Sequence, residues 1–329
     1  MLKNQKSLSS LLCAGLALVF SHSVPVLAET NSGRSPVWVT LGTIGGPLSS
    51  PDRSQPANML LYQDQVVLVD VGDGTVQQMA KSGVPVVRVN AVFLSHLHFD
   101  HTGGLGALLG LRHQNAARNI LEIYGPPGTR TLVAGLLASM KPAAEAGYGI
   151  PGAAQIDPRS MVKVHELGDG ETVALPKTAV RVAQNSHYSF APGSRQDRLF
   201  KSFSYRFDVG GRSILYTGDT GPSANVERMG KGANMLVSEM IDVPATIAAV
   251  RQFANLDATQ LSTMEEHLAH HHLTPEQVGE MAAHMGVHSV VVTHLAGQSP
   301  NLDQAAKYME AIKTRFSGTV VIANDLEKF

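Results

Sequence analysis

Ser95-His96-Leu97-His98-Phe99-Asp100-His101 is the stretch that decides how the rest of the chain is read. Three imidazoles and a carboxylate, four potential metal ligands, fall within six residues. The apolar run Val92-Phe93-Leu94 leads in and the pair Gly103-Gly104 leads out. That order predicts a buried strand, a loop, and a helix from about Leu105. His96 and His98 alternate, so on an extended chain they point the same way. Asp100 and His101 follow as the chain turns, within reach of a second metal close by. A single histidine here would be an ordinary polar loop residue. Three histidines and an aspartate packed at one strand end point instead to a metal site, and imidazole with carboxylate suits zinc and other first-row divalent cations.

The chain has 329 residues, a formal net charge of -1 and 16% charged residues, an ordinary globular composition with ample apolar content for a core. Its first residues differ. Lys3 and Lys6 precede an apolar stretch from Leu11 to Phe20, and Val26-Leu27-Ala28 has the small residues of a cleavage site. Residues 1–28 therefore read as a signal peptide, which predicts a periplasmic or secreted protein of residues 29–329 forming one domain. The apolar run is too short to span a bilayer, so no stable membrane anchor is expected. Cys13, the only cysteine, lies inside this segment. The mature chain is then expected to hold no disulfide and no thiolate ligand. Losing Lys3 and Lys6 takes the charge from -1 to -3, and no broad basic surface is in evidence, so a nucleic-acid partner is not expected.

Outward from the metal-ligand stretch, Val37–Leu41, Asn58–Tyr62 and Gln65–Val71 read as strands, and Val76–Lys81 as a helix. Asp70, at a strand end, is either an acceptor behind a ligand histidine or a cap for that helix. Beyond the stretch come a helix Leu105–Asn115, a strand Ile120–Tyr124 and a helix Thr129–Met140. Lys141–Ser160, rich in Ala, Gly and Pro, reads as a long loop: a lid, a subunit contact compatible with a homodimer, or a plain surface insertion. Strands follow at Glu171–Leu175, Ala179–Gln184, Ser202–Val209, Ser213–Tyr216, Asn234–Val237, Ser289–Thr293 and Thr319–Ile322. Helices are predicted at Thr246–Ala254, Thr274–Met285 and Leu302–Arg315, and His267 to His272 as a histidine-rich loop. Thr274 with Gln277 has the spacing of a capping box. Strand ends deliver four candidate ligand groups: the His96–His101 stretch, His187, Asp219 and His294. Two face-to-face sheets with helices outside suit this order of elements.

The H-x-H-x-D-H pattern resembles the signature of the metallo-β-lactamase superfamily of metal-dependent hydrolases. The resemblance implies an α/β fold, the four-layer αββα sandwich. It also implies that His96, His98 and His187 hold one divalent cation, that Asp100, His101 and His294 hold a second, and that Asp219 bridges the two, with zinc the default metal. Two such cations share a water, lower its pKa toward about 7 and stabilise the transition-state oxyanion. A bridging hydroxide is then the nucleophile, with Asp100 counted among the catalytic groups.

Leu41-Gly42-Thr43, Asp70-Val71-Gly72-Asp73-Gly74-Thr75, Ile123-Tyr124-Gly125-Pro126 and Tyr216-Thr217-Gly218-Asp219-Thr220 are similar to motifs of the ribonuclease Z-like branch. That branch includes tRNA 3′-processing nucleases, phosphodiesterases and secreted arylsulfatases. Glu239 stands where the branch has a His-Glu pair, with Ser238 in place of the histidine, and His272-Leu273-Thr274 resembles its His-x-Thr element. The resemblance implies that His272 protonates the leaving oxygen and Glu239 orients it, with His270 and His271 as rivals. The tRNA-processing members carry a basic arm, whereas Lys141–Ser160 holds only Lys141 and Arg159. With the export segment, this favours a small anionic ester, an aryl sulfate first. A phosphodiester such as a cyclic nucleotide comes next, then a lactone or β-lactam. A non-catalytic metal or ligand binder on the same fold would have lost a ligand, and none is lost.

Overall fold

The computed structural model describes residues 35–152, 155–297 and 299–329. The expected signal peptide, residues 1–28, lies outside the described residues. Among those described, no helix is long and apolar enough to cross a membrane.

The first half of the chain forms β1 (Val37–Gly42), the two-residue β2 (Ile44–Gly45), β3 (Ala57–Tyr62), β4 (Gln65–Val71), β5 (Ala91–Phe93), β6 (Leu121–Gly125) and β7 (Val162–Glu166). Its helices are α1 (Thr75–Lys81), α2 (Phe99–Thr102), α3 (Leu105–Gln114) and α4 (Thr129–Glu145). The second half forms β8 (Thr172–Leu175), β9 (Thr178–Gln184), β10 (Phe203–Val209), β11 (Arg212–Tyr216), β12 (Met235–Ile241), β13 (Ser289–Ala296) and β14 (Thr319–Ile322). Its helices are α5 (Arg195–Leu199), α6 (Ala224–Gly230), α7 (Val243–Phe253), α8 (Ala258–His270), α9 (Pro275–Met285) and α10 (Leu302–Lys313).

One sheet has the order β1-β3-β4-β5-β6-β7 and the other β14-β13-β12-β11-β10-β9-β8, with β2 crossing over to pair with β13. In each sheet the strands first met are antiparallel and the later ones parallel. A strand covered on both faces should carry an unbroken apolar run, and β4, buried along its whole length, does so over Val66–Val69, between Gln65 and Asp70. Its side chains split by the two-residue period. Val67 and Val69 face the core between the sheets and Val66 and Leu68 face the helices, and Val71 joins the helix side because the alternation breaks at Asp70, whose φ is +58°. Val237 and Val291 of the second sheet join the same central core, and Leu236, Val290 and Val292 pack on α9 and α10. Trp38 and Phe93 anchor that core through edge contacts to Phe207 with ring centroids 5.7 and 5.6 Å apart. The layers are therefore helix, sheet, sheet, helix: the expected αββα sandwich.

Several local expectations change. Ser238-Glu239 and His294 lie inside β12 and β13 rather than beyond their ends. Here β12 and β13 slip register: Ser238 faces Val292 but Met240 faces Leu295, an extra residue on β13. Such a bulge re-aims a side chain, and His294 sits on it with φ +44°. The 141–160 stretch is not one loop. Its first turn completes α4, which runs through Pro142 to Glu145, and two 3-10 turns follow at Gly147–Gly149 and Pro158–Met161. The histidine-rich stretch is not a loop throughout either, since His267 and His270 belong to the last turn of α8.

Candidate metal centre and active site

The two sheets meet at an edge where each supplies half of a polar cluster. From the first sheet, the chain leaves β5 through Ser95 and His96, and α2 presents Asp100 and His101. From the second, β9 leads to His187, β11 leads to Asp219, and the bulge of β13 presents His294.

Ligand atoms of His96, His98 and His187 lie within 4.8 Å of one another, as do those of Asp100, His101, Asp219 and His294. Asp219 stands between the groups. Its Oδ1 is 3.2 Å from His101 Nε2, and its Oδ2 is 3.1 Å from His294 Nε2 and 3.9 Å from both His96 Nε2 and His187 Nε2. Asp100 Oδ2 is 3.4 Å from His101 Nε2 and 3.5 Å from His294 Nε2, and accepts a hydrogen bond from Gly46 N at 2.8 Å. All seven residues expected to be ligands are thus brought together.

Behind them lies one buried carboxylate. Asp70 accepts from Ser95 N, Ser95 Oγ, His101 Nδ1 and Tyr216 Oη at 2.7–2.8 Å. Ser95 Oγ in turn lies 3.0 Å from His96 Nδ1. With its proton directed at Asp70, that hydroxyl accepts from His96 Nδ1. Both imidazoles then present Nε2 lone pairs to the cluster, the arrangement that fixes ligand tautomers at metal sites. The alternative role for Asp70 is ruled out by α1 itself, whose N-cap is Gly74 with no side-chain cap.

The cluster's inner atoms are unsatisfied. His96 Nε2, His101 Nε2, His294 Nε2 and Asp219 Oδ1 are buried without a hydrogen-bond partner. Buried polar atoms are rarely left so, and nitrogen and oxygen donors converging in this way fit divalent cations. The charges lean on one another meanwhile. Burial opposes the Asp219 carboxylate, yet His294 and His101 hold its pKa well below the usual range. Burial also opposes charge on His294, but Asp219 and Asp100 push its pKa up to about 10.

Beside this cluster, His272 is buried and its Nδ1 donates to Glu239 Oε2 at 2.7 Å. Glu239 Oε1 accepts from Thr220 N, the residue after Asp219, at 2.6 Å. Burial works against charge on His272, and the Glu239 carboxylate raises its pKa above the ordinary imidazole value. The rivals are placed elsewhere: His270 is exposed and pairs with Glu266, and His271 Nδ1 is held by Ser186 O at 2.6 Å. The His272 ring lies 5.0 Å from that of His187 and 6.1 Å from that of His294.

Three contributors were not singled out from sequence. Ser95 looks like an ordinary polar residue before the histidines. His267 reaches in from α8, its ring 5.2 Å from that of His187; its spacing of four from His271 on a helix was the available signal. The third is the turn at Gly45-Gly46. A Cβ on Gly45 would meet the His294 ring at 2.4 Å, and one on Gly46 would meet the Asp100 carboxyl at 2.7 Å. Only bare backbone fits against both groups.

Comparison with known proteins bears on the family and the fold. Residues 65–295 match the β-lactamase superfamily domain. Ribonuclease Z of Mycobacterium avium is 31% identical over 299 residues, covering 89% of this chain and 97% of that protein. Ribonuclease Z of Mycobacterium marinum is 29% identical over 302 residues, covering 89% and 98%. Among solved structures, the metallo-β-lactamase fold protein YhfI from Bacillus subtilis aligns with a TM-score of 0.62 at 18% identity, covering 89% of this chain and 98% of that one. The short form of human tRNase Z aligns at 0.58 and 21%, covering 89% and 98%. These relatives overturn the expected aryl-sulfate specificity, and with it the expectation of a small ester substrate and no nucleic-acid partner. That expectation rested on the net charge, on the two cations of Lys141–Ser160 and on the export segment, none of which says where cations sit on the rest of the surface. The fold, the paired acid–imidazole cluster and the match over residues 65–295 make this chain a member of the metallo-β-lactamase superfamily of hydrolases.

Proposed function

We propose that this chain is a metal-dependent phosphodiesterase of the ribonuclease Z kind, hydrolysing a phosphodiester bond of RNA. The substrate class comes from the ribonuclease Z relatives. The observation that carries the chemistry is the buried His272–Glu239 pair set against the ligand cluster. In this reading His96, His98 and His187 would hold one cation and Asp100, His101 and His294 another, with Asp219 within reach of both groups. Zinc is the proposed metal. When bound, the two cations supply a water of lowered pKa and positive charge for the developing oxyanion.

The protein's own groups do the rest. Asp70, through Ser95 and His101, keeps two imidazoles in the tautomer that presents Nε2. Gly46 N fixes Asp100. His272 holds a proton on Nδ1 against Glu239, so Nε2 is the atom that gives its proton to the leaving oxygen as the P–O bond breaks. Glu239 stabilises the imidazolium before transfer and is itself steadied by Thr220 N.

The test is cleavage of a hairpin RNA with a single-stranded 3′ extension by metal-loaded protein, with bis-p-nitrophenyl phosphate in parallel. Release of the extension, abolished in Asp219→Ala together with bound metal, is the expected result. Fully metal-loaded protein that leaves both phosphodiesters intact would overturn the proposal.

A further inference from the structure

The connection from β9 to β10 is far longer than its task requires. The two strands are antiparallel neighbours, with Gln184 opposite Phe203, and about 2–5 residues suffice to join such a pair. Here residues 185–202 intervene. The near end is held firmly: His187 stands in the ligand cluster, Ser186 O accepts from His271 Nδ1, and Asn185 Nδ2 donates to Thr217 O at 3.1 Å. Farther out, Ser194 caps α5 by accepting from Asp197 N at 3.0 Å, and Gly193 N donates to Asp197 Oδ2 at 2.8 Å. The excursion thus has a defined fold.

A line of rings runs along it from the cluster to solvent. Tyr188 lies 5.5 Å from His98 and 5.3 Å from His187 between ring centroids. Phe190 lies 5.5 Å beyond Tyr188, and Phe200 6.0 Å beyond Phe190. The last two pairs are tilted by 52° and 44°, so the rings are splayed rather than stacked on one another. Phe190 is 39% exposed and Phe200 47%. Exposed rings contiguous with a reactive site mark a binding surface rather than core. The same segment carries one carboxylate, Asp197, which pairs with the half-buried Lys201 at 2.8 Å, and two exposed cations, Arg195 and Arg198. Rings interleaved with cations, open to solvent and continuous with a phosphodiester-cleaving centre, are the elements that hold unpaired nucleotides: bases stack on the rings and the backbone lies along the charges.

We propose that residues 186–201 form a stacking subsite for unpaired RNA bases next to the scissile phosphate, with Phe190 and Phe200 as platforms and Arg195 as a phosphate contact. This rests on the reading of the centre as an RNA phosphodiesterase. A peptide or a generic polyanion is a competing occupant, and neither would depend on bases.

The experiment uses the metal-loaded full chain and a hairpin RNA whose single-stranded 3′ extension carries 2-aminopurine at one position at a time, read by stopped-flow fluorescence before turnover. Saturable quenching is expected at one or two positions. Phe190→Ala and Phe200→Ala should each raise the Kd about tenfold, within the range of one base–ring stack, while Phe190→Trp retains binding. Arg195→Gln should flatten the dependence of log Kd on log salt by about 0.7, the value of one phosphate on a single strand. Both rings are exposed, and an unchanged Tm would confirm folding. Absence of quenching at every position, equal affinity for an extension made abasic throughout, or unchanged quenching and Kd in both alanine variants would overturn the subsite. Ring-dependent quenching without cleavage would overturn the function proposed above and leave the subsite standing. Cleavage indifferent to the rings would do the reverse.

Discussion

At the scale of single residues, the site is built so that each group is fixed by another. Asp70 shows this most plainly, because four donors converge on one buried carboxylate. Asp70→Asn keeps the shape but turns one oxygen into a donor facing Ser95 Oγ, His101 Nδ1 or Tyr216 Oη. The His101 tautomer is then no longer enforced. Loss of a partner of this type costs about 10–100-fold in metal affinity, measurable for zinc by competition with a chromophoric chelator. Unchanged affinity would mean that the ligand histidines orient themselves. The His272–Glu239 pair makes a different prediction. His272→Ala should lower kcat by about 10²–10⁴ on RNA, whose leaving oxygen needs a proton, and much less on bis-p-nitrophenyl phosphate, whose leaving group does not. Equal losses on both would remove His272 from proton transfer. The seven ligand candidates could be named from the sequence because His and Asp are chemically distinctive and the family resemblance supplies their order, although His294 lies within β13 rather than at its end. Asp70 was only half legible, because a carboxylate before a glycine turn serves equally as a cap or a partner, and what decides is a contact with His101, 31 positions away. Ser95 and Gly46 were not legible as site residues, since their roles exist only once the chain has folded around them.

Elements explain why the site keeps its shape. His272 lies between α8 and α9, and its position is set by how those helices end and begin. Thr274 caps α9 by accepting from Gln277 N, and Gln277 Oε1 accepts from Thr274 N at 2.9 Å, so the capping box read from sequence is formed. Thr274→Ala should cost about 1 kcal/mol, a fall in Tm of about 2 °C for a chain of this size, followed by differential scanning calorimetry. Because the cap is two residues from His272, kcat on RNA should fall as well, whereas a purely remote helix would lower Tm alone. Elements with strong periodicity or clear caps were read nearly to the residue, as for Gln65–Val71, Thr129 at the start of α4 and Pro275–Met285. Those that failed lacked the local signal. The start of α8 is marked by Asp257 and Gln260, a second capping box, but its Ala-Thr-Gln-Leu-Ser-Thr-Met-Glu-Glu run is polar over most of its surface. Its one buried residue is Leu268. α4 continues through Pro142, where propensity predicts a stop, because packing of Val133, Leu137 and Ala144 outweighs one lost hydrogen bond. The bulge that presents His294 depends on register between β12 and β13, whose residues lie some fifty positions apart.

For the whole molecule, the candidate metal centre lies on the seam between the sheets. His96, His98, Asp100 and His101 follow strand β5 of one sheet, while His187, Asp219 and His294 belong to strands or strand ends of the other. The sheets are otherwise joined by the central apolar core and by the C-terminal segment, where Trp38 and Phe329 exchange backbone hydrogen bonds at 3.0 and 2.9 Å. Cations held as proposed would therefore cross-link two layers rather than decorate one. A ligand that binds only the folded state stabilises it by about 2.7 kcal/mol at a hundredfold excess over Kd. Removing metal should also leave His96 Nε2, His101 Nε2, His294 Nε2 and Asp219 Oδ1 without partners inside the protein. Exhaustive chelation, verified by elemental analysis, should lower Tm by at least about 5 °C, and zinc should restore it in proportion to occupancy. Hydrogen exchange locates the effect. If the cations join the layers, amides of β5 and of β11 to β13 should lose protection together. If they only fill a polar hole, the loss should stop at the loops holding His96–His101 and His187, with Tm nearly unchanged, and the seam would be held by its apolar core alone.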